Sequence, residues 1–275
     1  VDRPEVEIFP AYGRSNEVAQ ILRFIKARNL PLDQVLITAV NSHYYAPLLY
    51  AQAHQAGLPA TFSEGLPVLY IAPGRFFNGL LQWIQGGWRE TSLYRLFISG
   101  GTRISRPVEA GRLLRKAGIG WGRERCLPAI EKMLHENGQA RANAEATAEQ
   151  AEIDRLDREK ALLDEIYAFL KAVLAAIPAE DENNPFSYSQ CCLRLASLLD
   201  DWALIDNELA AQGVTALKGF LLLEAQISAV QLSSKDAWKR LQQCLGRLWV
   251  GASTPQPGCL HMAGLEHAQW IRRPY

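Results

Sequence analysis

Two short stretches hold residue types from which chemistry could be built. The first is YGRSNEVAQILRFI, residues 12–25, where Gly13, Arg14 and Ser15 stand between a short apolar run and a helical pattern. Ser15 is an N-cap candidate, and Glu17 falls in the first helical turn, where a carboxylate complements the helix dipole. A helix N-terminus beside Arg14 offers backbone N–H donors and a guanidinium to a phosphate, which makes Arg14 the candidate cofactor-binding residue. The alternative is a capped helix alone, since a single glycine is far from the G-x-G-x-x-G of a dinucleotide fold. The second stretch is AGIGWGRERCLP, residues 117–128, in which glycines bracket Trp121 and two arginines follow. Arginine and an exposed aromatic beside flexible backbone suit phosphate contact and base stacking. The alternative has Trp121 buried as a plug between helices, with Arg123 and Glu124 solvated. This stretch closes a basic block: residues 102–125 carry seven cations (Arg103, Arg106, Arg112, Arg115, Lys116, Arg123, Arg125) against Glu109 and Glu124. The candidate set for binding a polyanion such as DNA is Arg103, Arg106, Arg112, Arg115, Trp121, Arg123 and Arg125.

Catalytic motifs do not emerge. A phosphate-binding G-x-x-x-x-G-K-[ST] loop is missing, and so is any G-x-S-x-G nucleophile elbow. The segments ALLDE (161–165) and LLDD (198–201) imitate a magnesium-holding strand end, but both lie within helical stripes. No aspartate or glutamate is followed two positions later by lysine, which excludes a PD-(D/E)xK nuclease centre within this chain. Cys259, His261 and His267 lack a fourth ligand and any paired C-x-x-C, so a half-buried strand is expected there rather than a metal site. The reading therefore has no catalytic residue, no metal and no cofactor held by this chain alone.

The bulk numbers describe a soluble globular chain: 275 residues, 48% apolar types, 21% charged, 29 basic and 29 acidic side chains. Five unevenly spaced cysteines argue against a disulfide framework. No apolar run approaches the roughly 18 residues of a membrane span, and the opening Val1-Asp2-Arg3-Pro4 is unlike a signal peptide. A cytoplasmic protein that does not enter the membrane is expected. Charge is segregated, since residues 139–209 hold six basic and fifteen acidic side chains, opposite in sign to the basic block.

The elements that must position these residues follow from periodicity. Residues 6–9 read as a strand ended by Pro10, and Val18, Ile21, Leu22 and Ile25 form one helical stripe. VLITAV (35–40) reads as a strand covered on both faces. A helix from about Ala46, with Pro47 in its first turn, ends at Gly57, and LPATFS (58–63) is a third strand. Phe76, Phe77, Leu80, Leu81 and Ile84 mark a further helix. After Gly86-Gly87 the pattern is helical to about Trp249. A single helix is expected over 140–177 on the seven-residue repeat Leu156, Leu163, Leu170, Ile177, with Ile153, Tyr167 and Leu174 in a neighbouring track. Tyr188, Cys191, Leu195, Leu198, Trp202, Ile205 and Leu209 form another stripe, and Ser233 with Asp236 resembles a capping pair. Strand pattern returns at 259–265. The expected fold is α/β, a partial parallel-sheet domain over 1–85 and 250–275, interrupted by a mainly helical insertion over 86–249.

Several segments, in order, resemble the AddB-type, inactivated superfamily 1 helicase-like proteins, relatives of the UvrD/Rep helicases that often end in a PD-(D/E)xK nuclease. GRSNEVAQILRFIKARNLPLDQVLI (13–37) is similar to the start of their second motor domain. AGLPATFSEGLPVLYIAPGRFFNGLLQWI (56–84) is similar to the segment that follows, and IGWGRERCLPAIEKML (119–134) and LWVGASTPQPGCLHMAGLEHA (248–268) resemble later landmarks. The resemblance implies that the α/β part over 1–85 and 250–275 is a motor-type (RecA-like) domain interrupted by a helical subdomain, in a protein that processes single-stranded DNA or duplex ends during repair. It implies ATP and Mg in the parent protein and a helicase or nuclease partner subunit. On this reading the chain is an internal fragment. The other expectation is a helical interaction scaffold that docks a partner subunit through 140–177 and does not touch DNA.

Overall fold

The computed structural model describes residues 6–177, 186–226 and 232–275. The opening tetrapeptide 1–4 and three carboxylates of the acidic block, Glu180, Asp181 and Glu182, lie outside them. The chain forms α1 (Arg14–Ala27), β1 (Leu36–Ala39), α2 (Ser42–Gln55), β2 (Ala60–Phe62) and β3 (Leu66–Pro67). Helices α3 (Ala72–Gln85), α4 (Glu90–Ile98), α5 (Pro107–Ala117), α6 (Cys126–Ala146), α7 (Gln150–Ala176), α8 (Tyr188–Trp202), α9 (Glu208–Gln226) and α10 (Ser234–Leu245) follow. It closes with β4 (Trp249–Val250), β5 (Leu260–Gly264) and α11 (Leu265–Ala268). The whole is mixed α/β and mostly helical. It divides into two compact units, one built from residues up to Pro67 with Trp249–Tyr275, the other from Val68–Leu248.

The first unit is organised by a parallel sheet of three strands in the order β1-β5-β2. The last strand in the chain is thus the central one, with His261 beside Leu36 on one side and Thr61 on the other. All five residues of β5 are buried, the pattern of a parallel strand with neighbours on both edges and cover on both faces. β1 was expected to be covered on both faces and is not: it stands at the sheet edge, and Thr38 and Val40 are exposed. Residues 6–9 form no strand either. Val6 and Ile8 are exposed, and the edge of β1 is partly taken by the tail, where Leu36 N–H donates to Tyr275 O and Tyr275 N–H to Gln34 O. β3 and β4 pair antiparallel, Leu66 opposite Val250. Gly65 permits that approach, with φ 75° and space for no side chain, since a Cβ would lie 2.4 Å from the Val250 carbonyl oxygen.

Helix starts differ from expectation. Gly13, not Ser15, precedes the first helical residue, and the Ser15 hydroxyl instead accepts from Gln52 Nε2 of α2. α2 begins at Ser42, four residues early, so Pro47 sits inside it. Its end is as expected: Gly57 adopts φ 67° and the Leu58 N–H returns to the Ala53 carbonyl, the left-handed exit glycine favours.

In the second unit the seven-residue repeat becomes core: Leu156, Leu163, Leu170 and Ile177 are all buried. Phe169 lies at its centre, edge-on to Phe76, Phe97 and Trp202. The single helix expected over 140–177 is two helices. α6 ends at Ala146, the chain turns through Ala148 at φ 56°, and α7 runs back alongside. Glu131 meets Tyr167, Asn137 meets Leu156 and Arg141 meets Asp157, which fixes the pair as antiparallel. The stripe 188–209 is likewise broken, because Ala203 is extended and Asn207 caps α9 by accepting from Ala210 N–H. Ile205 is left exposed. The Ser233–Asp236 cap of α10 forms as expected. Among the described residues no helix is long and apolar enough to cross a membrane.

Candidate functional site

Parallel strands bring their carboxyl ends to one edge, the place where open α/β sheets bind ligands. In the first unit this edge holds a cavity of about 380 Å³ lined by Arg14, Glu17, Thr38, Asn41, Tyr44 and Tyr45, among others. Arg14 is the first residue of α1, and Asn41 immediately precedes α2, so two helix N-termini face the cavity. The Arg14 guanidinium lies 4.4 Å from the centre of the Tyr44 ring. It is exposed and makes no ion pair among the described residues. Opposite, Tyr45 Oη donates to Glu17 Oε2 at 2.7 Å. That bond, with some burial, raises the Tyr45 pKa, so the phenol keeps its proton and Glu17 stays an acceptor. One free cation, two sets of helix N–H donors and one satisfied carboxylate can hold a single anionic group.

Glu64, which the sequence reading passed over, braces the same edge. His267 Nδ1 lies 3.1 Å from its Oε1. Burial works against the charged carboxylate, but hydrogen bonds from Ser42, His267 and the Gly264 N–H outweigh it and hold its pKa below the usual range. Glu64 therefore ties the exit of β2 to the start of α2 and the end of β5. A Cβ on Gly264 would come within 2.3 Å of Glu64 Oε1, so this brace depends on glycine there.

His261 is fully buried in β5, with Thr61 Oγ1 2.8 Å from Nδ1 and Ser63 Oγ 2.8 Å from Nε2. Burial, and secondarily the charge of Arg273, lower its pKa to about 4. With a hydroxyl at each ring nitrogen it is a neutral cross-strand link; among the described residues Cys259, His261 and His267 do not form a group of three possible ligands. Buried Cys126, Cys191 and Cys192 are poor nucleophiles. Burial pushes the Cys126 thiol up to about 11, and it raises Cys191 further.

The basic block lies in the second unit, and many of its charges are already engaged. Arg106, at φ 47° before α5, bridges Glu109 at 3.0 Å and the Arg158 carbonyl at 2.9 Å. Lys116 pairs with Glu159 at 3.2 Å. The Arg115 guanidinium lies 3.9 Å from the Tyr94 ring centre. Arg123 is half-buried and donates to the Leu174 and Ile177 carbonyls at the end of α7. Arg103 and Arg112 are exposed, and Arg125 stacks over an exposed Trp121 at 5.5 Å. Trp121 is therefore not the buried plug of the alternative reading. No protein-family model matches the chain, and no curated protein is similar to it.

Proposed function

We propose that the chain is the second, RecA-like motor domain and helical insertion of a DNA repair or recombination helicase-nuclease-like protein. It contacts nucleic-acid backbone and supports end recognition or translocation without an active site of its own. The observation that carries this reading is Arg14, held on Tyr44 between two helix N-termini at the carboxyl edge of a parallel sheet. Two features agree with it. Residues 68–248 are inserted between paired short strands β3 and β4 of the sheet-bearing unit. β1 also stands at the sheet edge, and past the bonds that the tail makes at Gln34 and Leu36 its outer side has room for a further strand of a larger motor-type sheet. Arg103, Arg112 and the Trp121–Arg125 pair supply the exposed contacts for DNA. In the parent protein, ATP and Mg would be held mainly by residues beyond this chain, with Arg14 facing the phosphates. A helicase or nuclease partner subunit and a cytoplasmic location go with this reading.

The test is binding of a single-stranded or tailed duplex oligonucleotide across about 50–200 mM salt. Neutralising roughly three phosphates predicts a slope of log K against log salt of about −2 for a single strand. Replacing Arg103, Arg112 and Arg125 with alanine should flatten that slope. No binding at low salt would overturn the reading.

A further inference from the structure

A second cavity, of about 660 Å³, lies wholly within the helical unit, between the end of α7 and the start of α10. Its size is within the roughly 300–1,000 Å³ of small-ligand pockets. Three aromatic rings and three cations line it: Trp88, Phe186 and Trp238 with Arg123, Lys235 and Lys239. Phe186 and Trp238 meet edge to face at 5.6 Å. Trp88 stands edge-on to Trp83 at 4.8 Å, with backbone φ 60° where the chain leaves α3 and the Trp88 N–H returns to the Trp83 carbonyl.

The charges are the informative part. The half-buried Arg123 spends its donors on neutral carbonyls and lies 5.2 Å from the Trp88 ring centre. Among the described residues, Arg123, Lys235 and Lys239 have no carboxylate within ion-pair distance, and the described lining contains no acid. The positive end of α10 adds to the same field. Cations that meet no counter-charge among the described residues, beside aromatic walls, suit a ligand that is flat, apolar on its faces and anionic at one end.

We propose that this cavity takes one unpaired base and its adjoining phosphate from single-stranded nucleic acid. The base packs against Trp88 and the Phe186–Trp238 pair, and the phosphate lies on Lys235 and Lys239. The proposal rests on the nucleic-acid reading above and adds a second contact, in the helical unit and separate from Trp121. Stacking on protein aromatics is sequence-tolerant, since every base has a π-face, so general single-strand capture is the expected role.

The experiment uses the full chain, titrated at low salt with a short oligothymidylate, an abasic oligonucleotide of equal length, and an acidic tyrosine-containing peptide. Tryptophan fluorescence and anisotropy are read together. Lys235→Glu/Lys239→Glu changes only exposed side chains at the start of a helix, and circular dichroism confirms its fold. The reversed protein should bind oligothymidylate about tenfold more weakly, with a salt slope smaller by about 0.7. Phe186→Ala should weaken oligothymidylate and leave the abasic strand unaffected. If oligothymidylate still binds the reversed protein as tightly as the parent, the cavity assignment fails while the DNA reading stands. If nothing nucleic binds, both fail. Quenching by the peptide but not by oligothymidylate would overturn the choice of ligand.

Discussion

Arg240 grips Glu224 with Nε at 2.6 Å and Nη2 at 3.0 Å, and Tyr188 Oη donates to the same carboxylate at 2.6 Å. Three helices, α8, α9 and α10, are thereby fixed on one anion. The partners are unequal, since the Glu224 side chain is 7% exposed and that of Arg240 is 44% exposed. Removing the cation strands a buried charge, whereas removing the anion leaves a cation that can turn to water. Arg240→Ala should therefore cost about 3 kcal/mol and Glu224→Gln about 1 kcal/mol, because the amide still accepts from Tyr188. Urea unfolding measures both. Equal losses would show that packing, not charge, holds the three helices together.

A second prediction concerns acid. Thr61 Oγ1 donates to the Leu260 carbonyl at 3.1 Å, so it accepts from His261 Nδ1–H, while Ser63 donates to Nε2. The network is built for the neutral ring. With a folded pKa of about 4 against 6.5 for a free histidine, the unfolded chain binds more protons between these values. The stabilisation is full above pH ~6.5 and is lost as pH falls towards ~4, about 3 kcal/mol in all. Amide hydrogen exchange in β5 should accelerate through that window. His261→Gln, which does not titrate there, should show a flat profile.

The fate of this histidine shows where sequence reading stops. Leu260 to Gly264 reads as a strand, but that it lies between β1 and β2 depends on contacts across about 200 positions, which periodicity does not encode. The continuous run at 35–40 pointed to a strand covered on both faces, yet Thr38 and Val40 are exposed. Local chemistry did better: Gly57 and the Ser233 cap were legible because their partners lie within a few residues. Arg14 was legible for the same reason, as a cation next to a helix start. Trp88, Phe186 and Trp238 were not, because three distant segments converge on one cavity. The basic block was visible as charge, yet its internal pairings were not, since Glu159 and the end of α7 are far along the chain.

The hairpin between α6 and α7 gives a third prediction. Nothing in the composition of 147–149 announces a turn, and the chain makes one with alanine at φ 56°, where a Cβ costs roughly 1 kcal/mol. Ala148→Gly should raise the stability of the helical unit by about 0.5–1 kcal/mol, reading as a higher melting temperature. Ala148→Val should lower it by more. A loss of stability with glycine would mean that the flexibility gained by the unfolded chain outweighs the strain relieved.

Arg123 and Arg125 look equivalent in sequence, two positions apart on either side of Glu124, and the structure gives them different work. Arg123 closes the end of α7 by donating to the Leu174 and Ile177 carbonyls, while Arg125 lies in solvent over Trp121. Charge-assisted bonds to carbonyls at the end of a helix, with a cation–π contact to Trp88, are together worth about 2 kcal/mol. Arg123→Ala should lower the melting temperature of the helical unit by about 4–8 °C, whereas Arg125→Ala should stay within about 0.5 kcal/mol of the parent. DNA affinity should respond in the opposite sense at a temperature where both variants are folded. Arg125→Ala removes an exposed phosphate contact outright, and Arg123→Ala acts only through the cavity it walls. If the melting temperatures of the two variants coincide, Arg123 is not a cap, and its half-buried charge must be held there by a ligand alone.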